Sequence, residues 1–216
     1  MKQLSIILVL VLGAIYAKAQ EEYRDDQVQT LFSKQPNNGW YGAFSMGYSE
    51  IDGRDALITG ARGMFVFDQT LAIGLGGYGF VNNLDYHNNI YDSPDRRFML
   101  AGGYGGLIVE PILGGRKAVH LSFPLLIGMG GVALLENDRW GWDWDMDRYH
   151  PGHEVDNDVF FVLEPSVELE FNLTRWFRAA AYASYRFTSD IEIYQTEADV
   201  LDGFNFGMTF KFGKLN

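Results

Sequence analysis

From Trp40 to Phe212 the chain alternates two unlike kinds of side chain, one position after the other. In "FVLEPSVELEFN" Glu164, Ser166, Glu168 and Glu170 share one parity, and Pro165, Val167, Leu169 and Phe171 the other. In "WFRAAAYASYRF" Arg178, Tyr182, Ser184 and Arg186 oppose Phe177, Ala179, Ala181, Ala183, Tyr185 and Phe187. In "FNFGMTFKF" Asn205, Gly207, Thr209 and Lys211 oppose a ladder of Phe and Met. A period of two is the signature of a strand with different surroundings on its two faces. Here one face is apolar and aromatic, the other small or charged. A water-soluble sheet could bury the apolar face in a second layer, so the connections have to decide the architecture.

Eight such runs are legible: Trp40–Glu50, Ala56–Phe67, Leu71–Phe80, Phe98–Ile112, Ala118–Leu135, Val159–Asn172, Trp176–Phe187 and Gly203–Phe212. The links alternate between short ("DQT", "GGRK", "LTR") and long ("NNLDYHNNIYDSPDRR", "ENDRWGWDWDMDRYHPGHEVDND", "TSDIEIYQTEADVLD"), with "IDGRD" opening the series. Short turns at one rim and long loops at the other, joining strands of about ten residues, describe a barrel that crosses a bilayer. Glycine fits this reading. "GLGGYGF" at Gly74–Phe80 has the spacing of a dinucleotide loop, but "FVNNLDYHNN" follows it with no helical repeat, so the motif lacks its helix. Gly74, Gly76 and Tyr78 are expected on the inward face of a narrow barrel, where small residues make room for large ones.

The chain opens "MKQLSIILVLVLGAIYAKAQEE". A basic residue, an apolar stretch and the small-x-small site Ala17-Lys18-Ala19 predict a signal peptide over residues 1–19, cleaved on export. Residues 20–38 are polar and aperiodic and read as a periplasmic leader or short helix, ahead of a barrel domain over 39–216. No Cys is present, so neither a lipid anchor on cysteine nor a disulfide is available. The formal net charge of -11 repels phosphate backbones and argues against a nucleic-acid partner.

With the signal peptide, the glycine-aromatic strands, "VLEPSVELEFNLTRWFRAAAYASYRF" and the aromatic final strand in view, the chain resembles the small outer-membrane β-barrel proteins of Gram-negative bacteria, the OmpA/OmpX-like class also labelled "porin family". The resemblance covers roughly residues 40–212. It implies an all-β, eight-stranded antiparallel up-and-down barrel in the cell outer membrane, with termini in the periplasm, inserted by the barrel-assembly machinery. It names no activity, since one fold hosts many functions.

Two groups of residues carry the candidate chemistry. Arg62, Glu110, Glu164, Glu168, Glu170, Arg178, Arg186 and Lys211 all have lumen parity and are expected to pair in a charge network, because a lone charge in a closed lumen is costly. The loop "WGWDWDMDRYHPGHE" places Trp140, Trp142 and Trp144 among Asp143, Asp145 and Asp147, followed by His150 and His153. It is a candidate surface-interaction loop, since tryptophan favours the membrane interface and exposed loop aromatics suit contact with proteins or glycans. Its carboxylate spacing fails as a calcium loop, with Arg148 where glycine is required. His120 and Ser122 share the lumen face of one strand, away from lipid substrate.

The reading is therefore a non-enzymatic outer-membrane barrel with a plugged polar lumen, acting through acidic aromatic extracellular loops and needing no cofactor or metal. Its expected partners are outer-membrane lipid and lipopolysaccharide, the assembly machinery, and an extracellular protein or glycan. Three alternatives stand beside it: a narrow channel for small solutes or ions, a lipid A-modifying enzyme, and a soluble periplasmic lipocalin-like barrel.

Overall fold

The computed structural model describes residues 38–82, 98–136, 153–193 and 196–214. The predicted signal peptide and all but the last residue of the predicted leader lie outside these residues. The described chain forms nine antiparallel strands: β1 (Gly39–Ile51), β2 (Arg54–Phe67), β3 (Leu71–Asn82), β4 (Phe98–Leu113), β5 (Val119–Ser122), β6 (Leu125–Glu136), β7 (His153–Asn172), β8 (Phe177–Thr188) and β9 (Gly203–Lys214). The ladders follow the chain around the sheet, and β9 pairs with β1, so the sheet has no free edge. β5 and β6 are two halves of one stave, which leaves a ring of eight.

The fifth run, expected to be continuous from Ala118 to Leu135, breaks at Phe123–Pro124. Proline has no N–H to give the ladder. The stave keeps its place through single bonds on either side, Phe123 N to Pro111 O at 2.9 Å and Ser166 N to Pro124 O at 2.7 Å. The first link also differs from its reading as a longer stretch. It is a two-residue hairpin turn at Asp52 and Gly53, with φ of 55° and 67°. Positive φ at both central residues is the hairpin geometry that Asp-Gly favours, so β1 and β2 run into the turn. A further difference lies at the loop before β7. His153–Asp158 belong to the β7 ladder, with a register shift against Leu134 and Leu135.

The ladders are staggered. Starting at Trp40, the pairing runs through Phe65, Ile73, Val109, Leu125 and Pro165. One residue on from Pro165, Ser166 pairs with Ser184, Ser184 with Asn205 and Asn205 with Ser49, so the path rejoins β1 far above its start. A closed sheet of few strands needs such a shear, which tilts the strands and sets a lumen that side chains can fill.

Burial follows parity. Outward positions carry large exposed apolar groups on seven of the eight staves, among them Trp40, Phe65, Leu75, Leu107, Met129, Phe161 and Phe204, while β8 turns alanines and half-buried rings outward. A soluble monomer does not tolerate an apolar surface that continues all round the molecule, whereas a lipid-facing belt requires one. The lipocalin-like alternative needs the opposite parity. Inward glycines receive the rings opposite them. The face of Gly60 is covered by the Tyr78 ring, and a Cβ on Gly76 would stand 2.6 Å from Ile108 Cδ1 and 2.8 Å from Arg62 Cβ. Gly76 thus lets the Arg62 stem pass along β3.

Candidate functional site: the lumen

The inward residues fall into two levels. At the end that holds the short turns, β2, β4, β7, β8 and β9 bring charged side chains together. Lys211 Nζ stands 2.8 Å from Glu110, 2.8 Å from Glu168 and 2.6 Å from Glu170. Arg62 reaches Glu168 at 2.7 Å and Glu110 at 3.5 Å. Arg178 stands 3.5 Å from Glu170, and His120 Nε2 3.2 Å from the same carboxylate. Tyr41 donates its hydroxyl to Glu110 at 2.5 Å, and the Lys211 ammonium lies 5.0 Å from the Tyr41 ring centre. All of these side chains are buried. Glu110, Glu168 and Glu170 have oxygens close enough to hold a cation, and Lys211 Nζ is at hydrogen-bond distance from all three.

One level up, Glu164 is held by neutral donors. Its oxygens accept from Tyr104 at 2.6 Å, Ser184 at 2.5 Å and Asn205 at 3.0 Å. Above it the lumen turns apolar and aromatic: Phe80, Leu100, Tyr104, Val132, Leu134 and Phe160 are all buried. The segment between β8 and β9 adds Ile191, Ile193, Val200 and Leu201, each 7 % exposed or less. That segment is fastened at several points. Asp202 accepts from Thr188 N at 2.6 Å and Thr188 Oγ1 at 2.9 Å, Arg186 Nε donates to Leu201 O at 2.7 Å, and Glu192 N donates to Asp158 at 2.7 Å. Beside it, Glu50, Asp52, Glu197, Asp199 and Asp202 line an open cleft of about 720 Å³ together with Tyr48, Tyr185, Phe204 and Phe206.

Of the eight lumen charges singled out in the sequence, Arg62, Glu110, Glu168, Glu170, Arg178 and Lys211 meet in one cluster. Glu164 and Arg186 do not join it. Glu164 stands a level above with hydroxyl and amide partners. Arg186 lies over the rings of Phe80 and Tyr104, at 5.4 and 5.6 Å from their centres. Sequence reasoning missed Tyr41, Tyr104, Ser184 and Asn205 as carboxylate partners. Their inward parity was readable, but which glutamate each meets depends on the stagger. Ser122 Oγ donates to Glu168 at 3.4 Å, His120 stands against Glu170, and both face the lumen. Trp140, Trp142, Asp143, Trp144, Asp145, Asp147 and His150 lie outside the described residues, and His153 is described only as the first residue of β7.

No protein-family model matches the chain, and no curated protein matches it in sequence. Among solved structures the chain is similar to Neisserial surface protein A at 9% identity, with a TM-score of 0.50 over 82% of this chain and 96% of that one. It is also similar to Ail, the attachment invasion locus protein of Yersinia pestis, in complex with the heparin analogue sucrose octasulfate. That match has 12% identity and a TM-score of 0.45, over 82% of this chain and 97% of that one. Identities this low speak to the fold alone. The closed ring of eight staves, its outward apolar belt and the likeness to Neisserial surface protein A together make the chain a small eight-stranded β-barrel of the outer-membrane type.

Proposed function

We propose that this protein is a non-enzymatic, integral outer-membrane barrel whose lumen is closed to solutes and whose outward connections meet a partner at the cell surface. The observation that carries the reading is the burial of Lys211, which is 0% exposed at the centre of three carboxylates. Ions that pair with each other rather than with water fill the cross-section and tie β2, β4, β7, β8 and β9 across the barrel. The capping segment with Ile191 and Leu201 closes the opposite mouth. In this reading the lumen is a rigid strut, the termini sit in the periplasm, and the belt contacts lipid and lipopolysaccharide after insertion by the assembly machinery. The acidic cleft beside the cap, together with the loop around Trp140–His150, forms the surface offered to an extracellular protein or glycan.

Membrane fractionation tests the placement, with gel electrophoresis of heated and unheated samples. A closed barrel in the outer-membrane fraction shifts in mobility only on boiling; release by osmotic shock with no shift removes the reading. Planar-bilayer recording tests the closed lumen, and reproducible unitary conductance by the purified protein would replace the strut with a narrow channel. The lipid A-modifying alternative is sunk by lipid A of unchanged mass on overexpression.

A further inference from the structure

The rim that holds the short turns carries a cleft of about 440 Å³, lined by Gln69, Arg116, Asn172, Thr174, Arg175 and Arg178. Its described lining brings three arginines and no carboxylate to one cavity, in a chain whose formal net charge is -11. The three come from separate places: Arg116 from the turn between β4 and β5, Arg175 from the turn between β7 and β8, and Arg178 from the buried face of β8. Arg178 stands 3.5 Å from Glu170, so the lumen cluster already offsets its charge. Arg116 stands 3.8 Å from Asp68, with the two side chains 71% and 69% exposed. An exposed pair at that distance is worth little and is readily exchanged for a better partner. Arg175 is exposed as well.

Backbone and side-chain bonds fix the three turns against one another. Asn172 Nδ2 donates to Gly115 O at 3.3 Å and Lys117 O at 2.6 Å, and Asn172 N to Ala118 O at 2.8 Å, which ties the end of β7 to the turn of Arg116. Ile112 N donates to Thr70 O at 2.7 Å, and a Cβ on Gly115 would stand 2.6 Å from Gln69 O, so the turn of Gln69 packs on the same unit. Thr174 Oγ1 accepts from Trp176 N at 3.3 Å and keeps its own proton to donate. Gln69 has a φ of 56°, a conformation that glycine adopts at lower cost, yet a side chain with two donors stands there and lines the cleft.

We propose that this cleft binds a phosphate group, held by Arg116 and Arg175 with Gln69 and Thr174 as neutral donors. A guanidinium presents a fork of N–H groups that matches phosphate oxygens in pairs. A tetrahedral group can meet forks that arrive from separate turns, whereas a planar carboxylate offers one edge. The two arginines not offset by the lumen match the double charge of a phosphate monoester, and the volume leaves room for the group that carries the phosphate. In the orientation proposed above the cleft faces the periplasm; that placement rests on the earlier reading, and the chemistry of the cleft does not.

The test uses the full chain refolded in an uncharged, phosphate-free detergent, so its outcome is independent of where the protein sits in the cell. Glycerol 3-phosphate is titrated in while amide resonances are followed. Gly115, Arg116, Thr174 and Arg175 are expected to shift along one saturating curve, with Gly53 at the far rim unmoved, and sodium chloride at equal ionic strength should not reproduce the shifts. Arg116→Gln and Arg175→Gln should each weaken binding about tenfold, the worth of one charge-assisted hydrogen bond. Gln69→Gly should weaken it about threefold while the barrel folds as well as before. Lys117→Gln, an exposed neighbour in the same turn but outside the lining, should leave the affinity unchanged. Short-chain phosphatidylglycerol, with the matching diacylglycerol as its phosphate-free control, separates the sources. Saturation by glycerol 3-phosphate assigns the site to soluble phosphate esters, and a response to the phospholipid alone assigns it to a lipid headgroup. No saturable shift with either compound overturns the proposal. So does a loss in Lys117→Gln equal to that in Arg175→Gln, because the rim would then act only as diffuse positive charge.

Discussion

Removing the charge of Lys211 is the sharpest perturbation of the lumen. Its Nζ stands 2.8, 2.8 and 2.6 Å from Glu110, Glu168 and Glu170. With it, three carboxylates face three cations, the others being Arg62 and Arg178. Lys211→Met keeps the apolar stem and much of the volume, so the packing loss is small. What remains is one uncompensated buried negative charge, at a site closed off from bulk water. Breaking a buried ion pair in this way costs about 3–5 kcal/mol, on the order of a hundredfold or more in the folded-to-unfolded ratio. Urea unfolding of the barrel in lipid vesicles measures it. Adding Glu110→Gln restores the balance of charge and keeps an acceptor for the Tyr41 hydroxyl, bonded at 2.5 Å in the wild type. The double variant should therefore recover at least half of the loss. A single variant within ~1 kcal/mol of wild type, or a double variant no better than the single one, would show the cluster to be hydrated and refute the reasoning.

Other consequences follow from the two faces. Leu75→Arg puts a charge on the lipid side of β3, at a position 67% exposed, and should cost ~2–4 kcal/mol in vesicles, measured by the same unfolding. Gly76→Val adds a Cβ that would stand only 2.6 Å from Ile108 Cδ1, before its two methyl groups are placed. An overpacking loss of ~1–3 kcal/mol is expected, and an unchanged urea midpoint would mean that the lumen has room to spare. Asp202→Ala removes the bonds of 2.6 and 2.9 Å from Thr188. Faster amide exchange at Ile191, Val200 and Leu201, with β1 and β2 unaffected, is the expected outcome, and unchanged protection would mean that packing alone holds the cap.

Strand parity was written in the chain. A period of two assigns every residue to one side of the sheet whatever the neighbouring strand does, so Glu168, Arg178 and Lys211 were known to face one way and Phe204 and Phe206 the other. The barrel itself followed from run length and from the rhythm of the connections. The break at Pro124 was readable in principle, since proline cannot donate to a ladder. The shortening of the first link to Asp52-Gly53 followed from a turn preference that the run boundaries had overridden.

The partnerships were not legible. Which carboxylate meets which cation depends on the height of each stave, and that is set by the stagger accumulated around the closed ring, a property of all the ladders at once. Lys211 and Arg186 have the same parity, yet Lys211 lies among three glutamates and Arg186 stands over two aromatic rings. The segment with Ile191, Ile193, Val200 and Leu201 was read only as a long outer loop, and its burial depends on the barrel residues it packs against, which parity alone does not give. Facing is a local consequence of backbone geometry, and so the sequence by itself determined it; meeting is decided by ring closure, which exists only in the tertiary structure.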